Sequence, residues 1–256
     1  MTQNYSTDRL ELIGLRDIPL VEAADNLGEV LESAVRGNNL LLRDNDVLVV
    51  AQKIVSKAEG RLVPLDQIVP SEEALRRARE TDKDPRLVEL ILQESVEVLR
   101  QVHNLIITEH RLGFVMANAG IDQSNVAAGT ALLLPEDPDA SAEKLREHLR
   151  RCFDVNVGII IADSIGRAWR NGIAGHAIGV AGVQAVVDLR QQKDLFGREL
   201  RVTEVAVADE MAAAATLIMG QGSEGIPAVL IRGFGPFEHS TDASTLVRDK
   251  AQDLFR

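Results

Sequence analysis

The chain of 256 residues contains one cysteine, Cys152, and its basic residues are outnumbered, 28 Lys and Arg against 39 Asp and Glu, for a formal net charge of −11. One cysteine excludes an intrachain disulfide, and no set of Cys and His stands at zinc-finger spacing, so the chain reads as a protein of a reducing compartment, the cytoplasm by default. The acidic balance leaves no global basic surface, which argues against nucleic acid and an anionic membrane as partners. No apolar stretch approaches the ~20 residues that span a bilayer. Met1–Ser6 lacks the basic and apolar regions of a leader. Internal repeats, low-complexity linkers and a Gly-x-x-x-x-Gly-Lys-Ser/Thr phosphate loop are also missing, so P-loop chemistry is excluded. An anionic small substrate remains compatible with an acidic chain, because local cations, backbone N–H groups and a divalent metal recruit phosphate.

What is there alternates irregularly between strand and helix patterns. Short apolar runs predict strands at Leu10–Leu15, Val47–Ala51, Leu105–Thr108, Gly113–Ala117, Asn156–Ala162, Val202–Val207 and Ala228–Gly233. The pair on either side of Glu109-His110-Arg111 reads as a hairpin. Helical spacing marks Asp25–Val35, a segment capped by Ser71, another from Pro85, Ser141–Phe153, and the alanine-rich Asp209–Met219. The small-residue stretch Gly172–Val187 gives no safe assignment. These patterns predict an α+β fold of mixed sheets with flanking helices, as one domain over 1–256 or two interleaved subdomains.

Four segments carry candidate chemistry. Asn118–Asn125 places Asp122, a hard oxygen ligand, after a predicted strand; the competing reading is an ordinary turn. Asp163 and Ser164 follow the Asn156–Ala162 run, with Arg167 and Arg170 available to neutralise phosphate; alternatively Asp163 caps a helix and the arginines form an ion-paired face. Two strand-end aspartates on separate elements suit a pair of divalent ions holding phosphoryl oxygens. Lys53, Ser56 and Lys57 offer cations and a hydroxyl at the exit of Val47–Ala51, or else an exposed basic loop. The glycine-dense Met219–Pro227 segment exceeds what a helix C-cap needs. His176 and Trp169 read as hydrogen-bonded structure and packing.

Taken in order, Ala51–Arg61, Asn118–Asn125, Asp163–Arg167, Lys193–Leu200, Val207–Glu210 and Gly220–Ala228 resemble the signature blocks of the coenzyme F420-0 gamma-glutamyl ligase family, over nearly the full chain. The resemblance implies a GTP-dependent ligase that phosphorylates the carboxylate of a deazaflavin coenzyme precursor and lets the amine of L-glutamate displace phosphate, with a second, gamma-linked addition. It implies catalytic roles for Asp122 and Asp163. Asp122, Asp163, Ser164 and Gln221 would be ligands to Mg²⁺ or Mn²⁺, two ions in all, with K⁺ as a monovalent companion. GTP contacts would come from Ile18, Pro19, Leu20, Val21, Gln52, Lys53, Lys57 and Asn125, and from Leu217, Ile218, Met219, Gly220, Gln221, Gly222, Ser223 and Glu224. An intertwined homodimer is implied, and the nitroreductase-like domain that follows the ligase region in some bacterial relatives is not expected within 1–256. Another carboxylate–amine ligase on the same scaffold and a catalytically silent nucleotide-binding homologue remain open; the presence of Asp122, Asp163 and Lys57 together argues against silence.

Overall fold

The computed structural model describes residues 7–237 and 239–254; the N-terminal residues 1–6 and the chain's end at 255–256 lie outside them, as does residue 238. The chain opens with strand β1 (Glu11–Gly14), helix α1 (Leu27–Gly37), strand β2 (Val47–Ala51) and helix α2 (Gln52–Ala58). A second group follows: β3 (Leu62–Pro64), α3 (Glu72–Thr81), α4 (Pro85–Gln93), β4 (Ser95–Val102), β5 (Leu105–His110), β6 (Val115–Ala117) and β7 (Thr130–Leu132). The chain then returns through α5 (Pro138–Phe153), β8 (Gly158–Arg167), β9 (Arg170–Ala181), β10 (Val187–Asp188), β11 (Glu204–Val205), α6 (Val207–Met219) and β12 (Ala228–Arg232). The expected mixed α+β fold is what the structure has.

The central sheet runs β1-β12-β2-β8-β9. Only β2 and β8 are parallel within it, in the register Val47↔Gly158 to Ala51↔Ala162, and the other neighbours pair antiparallel. Its β2 strand and the stretches 158–162 of β8 and 228–231 of β12 are continuously apolar because both faces are covered there. Leu48, Val50, Ile159, Ile161 and Leu230 pack with Leu31, Val35, Leu145 and Leu149 of α1 and α5. Val47, Val49, Ile160, Val229 and Ile231 pack with Met211, Ala212 and Ala215 of α6. Each such side chain contributes about 1.5–3 kcal/mol on full burial, so the three-layer block is the stability centre.

Helix ends follow local chemistry. Asn26, Ser71, Asp84 and Asp137 accept first-turn N–H groups of α1, α3, α4 and α5. The expected start of α5 at Ser141 moves back to Pro138, whose fixed φ suits a first turn. Three expectations need correction. The polar stretch after β2 is no loop, since Gln52 to Ala58 form α2. The Asn156–Ala162 strand does not stop before Asp163 but continues to Arg167, because β9 extends its ladder past the point where β2 ends. Of Val202–Val207 only Glu204 and Val205 are strand, and Val207 already opens α6.

The unassigned glycine-rich stretch is β9. A Cβ on Gly175 would lie 2.5 Å from Ala212 O of α6, and one on Gly179 would lie 2.4 Å from Pro138 O of α5. A register shift between the pairs Ile161↔Gly179 and Ala162↔Ala177 turns these glycines to opposite faces. Both helices therefore approach the strand at backbone distance.

The second group packs α3 and α4 around Ala74, Ala78, Leu87, Val88, Ile91 and Ile106, beside the sheet β4-β5-β6 and the pair β3-β7. Glu109 and His110, expected in a turn, are buried strand residues, while β4 was not anticipated. Glu94, between α4 and β4, ties this group to the central block. Both its carboxylate oxygens accept Arg61 Nη2 at 3.1 Å, and Oε2 also accepts Arg111 Nε at 3.1 Å. Arg61 Nε and Arg111 Nη1 meanwhile donate to the carbonyls of Leu134 and Glu136 on the returning segment.

Burial opposes the ionised form of Glu94, but the His110 ring and the two guanidiniums outweigh it and hold its pKa down to about 2 from 4.5. A depressed pKa gives stability that is present above 4.5 and lost as pH falls through about 2. Glu94→Gln should therefore cost about 3 kcal/mol near pH 7, since it strands part-buried guanidiniums, and the difference from wild type should shrink in acid. Urea denaturation at pH 7 and pH 3 checks this; a difference independent of pH would assign Glu94 a packing role instead.

Candidate active site

The parallel register of β2 and β8 sets the site. Ala51 faces Ala162, so the residues that follow, Gln52-Lys53 on one strand and Asp163-Ser164 on the other, emerge side by side. There β2 turns into α2, while β8 runs on against β9. The result is a cleft of about 590 Å³ over the end of the parallel pair.

Asp163 is half-buried on its floor, and its Oδ1 accepts the Ser164 N–H at 2.8 Å. Desolvation pushes its carboxyl up to about 6, the Ser164 N–H opposes this, and the charge of Asp122 adds to it. Asp122 arrives from the second group. Asn118, Ala119 and Gly120 have φ of 51°, 54° and 66°, a left-handed turn that only glycine adopts without strain. Paired hydrogen bonds with Leu132, at 3.0 and 2.8 Å, then fix the backbone of Asp122.

Lys53 Nζ stands 2.6 Å from Asp122 Oδ2 and also donates to Ser124 Oγ, while the Ser124 N–H donates to Asp122 Oδ1 at 2.6 Å. Burial works against ionisation of Asp122, but the Lys53 ammonium and the Ser124 N–H keep its pKa below the usual carboxylate value. Two carboxylates thus line one cleft, and the lysine pairs directly with only one of them, Asp122. Ser164 Oγ donates to Gln221 Oε1 at 2.9 Å, which brings the glycine-dense loop into the same cleft. The donor set of Asp122, Asp163, Ser164 and Gln221 is all oxygen and excess-negative, a fit to Mg²⁺ or Mn²⁺ rather than to a thiolate-seeking ion.

Most of the anticipated nucleotide contacts line this cleft: Ile18, Pro19, Leu20 and Val21, then Lys53, Lys57 and Asn125, and Met219 through Glu224. Lys57 sits in the last turn of α2 and donates to the Asn125 carbonyl at 2.8 Å, so the exposed-loop alternative for it is removed. Gly220 (φ 72°) and Gly225 (φ 69°) bracket the loop in left-handed backbone, and Glu224 folds back to accept the Gly222 N–H. Gln52 lines the cleft but is buried, its amide donating to Ser56 Oγ and Leu133 O. Leu217 and Ile218 do not line the cleft, and Leu217 is 84 % exposed. Arg167 and Arg170 belong to the β8–β9 hairpin end, also away from the cleft lining.

Sequence reasoning set His176 aside and gave Asp209 no role. His176 is the cross-strand partner of Asp163, and its positive form would favour ionised Asp163 and Asp209 alike. Asp209 accepts the Ala177 N–H at 2.8 Å from the first turn of α6, and burial pushes its carboxyl up. No short spacing links residues 163, 176 and 209; the only local sign was Asp209 within one of the signature-like blocks. Ile173, Thr216 and Ile226 complete the apolar lining.

Among the described residues no helix is long and apolar enough to cross a membrane. The family model for F420-0:gamma-glutamyl ligase matches residues 16–233. Curated relatives include a coenzyme F420:L-glutamate ligase of Methanothermobacter thermautotrophicus, 48 % identical over 249 residues, covering 96 % of this chain and 99 % of the relative. Proteins of the same name from Methanopyrus kandleri (45 % over 254 residues; 96 % and 99 %) and Methanocaldococcus jannaschii (43 % over 251 residues; 97 % and 97 %) are similar over comparable lengths.

Because the folded pKa of Asp163 lies above its ordinary 3.8, its contribution to stability is favourable below that value and is lost as pH rises through about 6. Asp163→Asn keeps an acceptor for the Ser164 N–H and removes the charge. With metals chelated, the variant should be more stable than wild type by about 2–3 kcal/mol at pH 8 and nearly equal to it at pH 3.5. Urea midpoints in EDTA at the two pH values measure this; a less stable variant at pH 8 would show that the ionised carboxylate supports the fold.

Proposed function

The chain belongs to the F420-0:gamma-glutamyl ligase family, and from that premise we propose that it joins L-glutamate to the deazaflavin coenzyme F420 precursor at the expense of GTP. The observation that carries the reading is the convergence of Asp122, Asp163, Ser164 and Gln221 with Lys53 and Lys57 in one cleft. Such a site suits phosphoryl transfer to a carboxylate, in which two anions must be brought together. In the first step the γ-phosphoryl group passes to a carboxylate oxygen of the precursor, the bond to the β-phosphate breaks, and GDP leaves. In the second the amine of glutamate adds to the acyl carbon, phosphate leaves, and the amine proton passes to solvent. Repetition on the new side-chain carboxylate gives the gamma linkage.

The residues divide this work by position. Lys57, steadied by the Asn125 carbonyl, and Lys53 present ammonium groups to the phosphates. The loop from Met219 to Glu224 lines the same cleft, and its small residues would let the phosphates approach the backbone. Ile18 to Val21 give one rim an apolar cover for a purine. Mg²⁺ or Mn²⁺ held by Asp122, Asp163, Ser164 and Gln221 would supply charge screening between the acyl carboxylate and the triphosphate. Homodimerisation is supported by Leu195, Phe196 and Val202, large apolar side chains that a single chain leaves exposed.

The proposal is tested by phosphate release from GTP, expected only when the deazaflavin precursor and L-glutamate are both present, and abolished by exhaustive chelation. Release with glutamate and some other acid, but none with the precursor, would favour another carboxylate–amine ligase; full activity in metal-free solution would remove the metal assignment.

A phosphate contact by an ammonium group is worth about 1.5–3 kcal/mol, so Lys57→Ala should weaken GTP binding by about tenfold to a hundredfold. Titration of GTP at constant Mg²⁺ and salt measures it. An unchanged affinity would confine Lys57 to holding the Asn125 carbonyl.

A further inference from the structure

Away from the cleft, α1 and α5 bring together a second set of ligating groups. His148 and Cys152 stand four residues apart on one face of α5, and Glu32 faces them from α1. His148 Nε2 is 3.2 Å from Glu32 Oε2 and 3.5 Å from Cys152 Sγ, and the ligating atoms of all three residues lie within 4.8 Å of one another. Metal–ligand bonds of about 2.0–2.3 Å in a tetrahedron require ligand–ligand separations of roughly 3.3–3.8 Å. The three groups are thus already near the spacing of a tetrahedron's corners.

We propose that Glu32, His148 and Cys152 form a peripheral site for Zn²⁺ or a chemically similar thiolate-accepting divalent ion, linking α1 to α5. The supporting geometry is specific to this seam. Gly28 of α1 lies against the imidazole, where a Cβ would meet His148 Cγ at 2.7 Å and Nδ1 at 2.9 Å, so the ring packs directly on the helix. Arg36 Nη2 holds the other carboxylate oxygen, Glu32 Oε1, at 2.9 Å and leaves Oε2 to the cluster. The Arg36 guanidinium is itself seated over the Phe153 ring, 4.7 Å from its centroid. His148 also lines a cavity of about 310 Å³ bounded by Asp25, Glu59, Lys144 and Arg151, an aqueous approach for the ion and a source of water for a fourth position.

Binding would displace the hydrogen bond that links Cys152 to Glu32 and release the thiol proton to solvent. The bound thiolate and carboxylate balance the two charges of the ion, while Arg36 and Arg151 remain at the periphery. The sulfur separates this site chemically from the all-oxygen cleft. Mg²⁺ prefers oxygen, whereas Zn²⁺ and Co²⁺ accept sulfur and imidazole.

The 256 residues include one cysteine, so in this chain a cobalt–thiolate charge-transfer band can arise only at Cys152. Titration of the chelator-treated protein with Co²⁺ should produce that band at one equivalent per chain, and Zn²⁺ should bleach it. Cys152→Ser should abolish the band. His148→Ala should weaken Co²⁺ binding by at least about tenfold. Both variants should keep Mg²⁺-supported glutamate ligation near the wild-type rate. A missing band at millimolar Co²⁺, or a band of undiminished affinity in His148→Ala, would overturn the proposal and leave a hydrogen-bonded triad between two helices.

Discussion

The parallel pairing of β2 with β8 is the constraint on which the rest of the molecule depends. It is the one parallel contact of the central sheet, and both strands are sealed on both faces, so a slip by one residue would turn every apolar side chain toward the wrong helix layer. Register is therefore held by the core and delivered to the site. With Ala51 opposite Ala162, the two strands part at the same level, one into α2 with Lys53 and Lys57 and the other into Asp163 and Ser164. The carboxyl ends of the parallel strands thus supply one part of the site, to which Asp122 and Gln221 are brought by other elements.

Electrostatics then sets one preference against another. A half-buried Asp163 near Asp122 disfavours its own ionisation, and Lys53 answers only the Asp122 side directly, through the contact at 2.6 Å. The opposite pKa directions of the two aspartates follow from that asymmetry: the one beside an ammonium is held low, and the one surrounded by the sheet is pushed up. A divalent cation held by both carboxylates would favour the ionised form of Asp163 and take over part of the charge that Lys53 supplies to Asp122. Stability given up at Asp163 is the kind of local cost that functional sites carry, offset by cores such as the two that cover the sheet.

Legibility in the sequence tracked the range of the interactions. The strand Val47–Ala51, the helix pair after Ser71 and the alanine-rich helix before Gly220 were readable because periodicity and caps are local. Lys53, Asp122 and Asp163 were readable as polar residues placed next to apolar runs, and the resemblance drew the two aspartates into one ligand set and Lys53 into the nucleotide contacts. The continuation of β8 beyond Asp163 was hidden, because it depends on β9, whose glycines obscure any strand pattern until two helices are seen to press on them. The turn at 118–120 gave no warning that Ala119 would take a left-handed backbone. Conversely, Leu217 and Ile218 came in with their loop, although helical geometry keeps them off the cleft lining.

The far wall of the cleft follows from β9 in the same way. Gly175 allows the backbone of α6 to lie directly on the strand, and Asp209 in the first turn of α6 fastens it there by accepting the Ala177 N–H. With the start of the helix anchored and its apolar face set by Met211, Ala212 and Ala215, its last turn has one place to end. Gly220, in a left-handed conformation, caps it by donating to Thr216 O, and the next residue, Gln221, reaches Ser164. Asp209 is thus about three turns from the loop it positions. Asp163 on β8 and Asp209 on α6 share the strand pair β8–β9 as their common support, for His176 pairs with Asp163 across the strands and the next residue, Ala177, gives its N–H to Asp209.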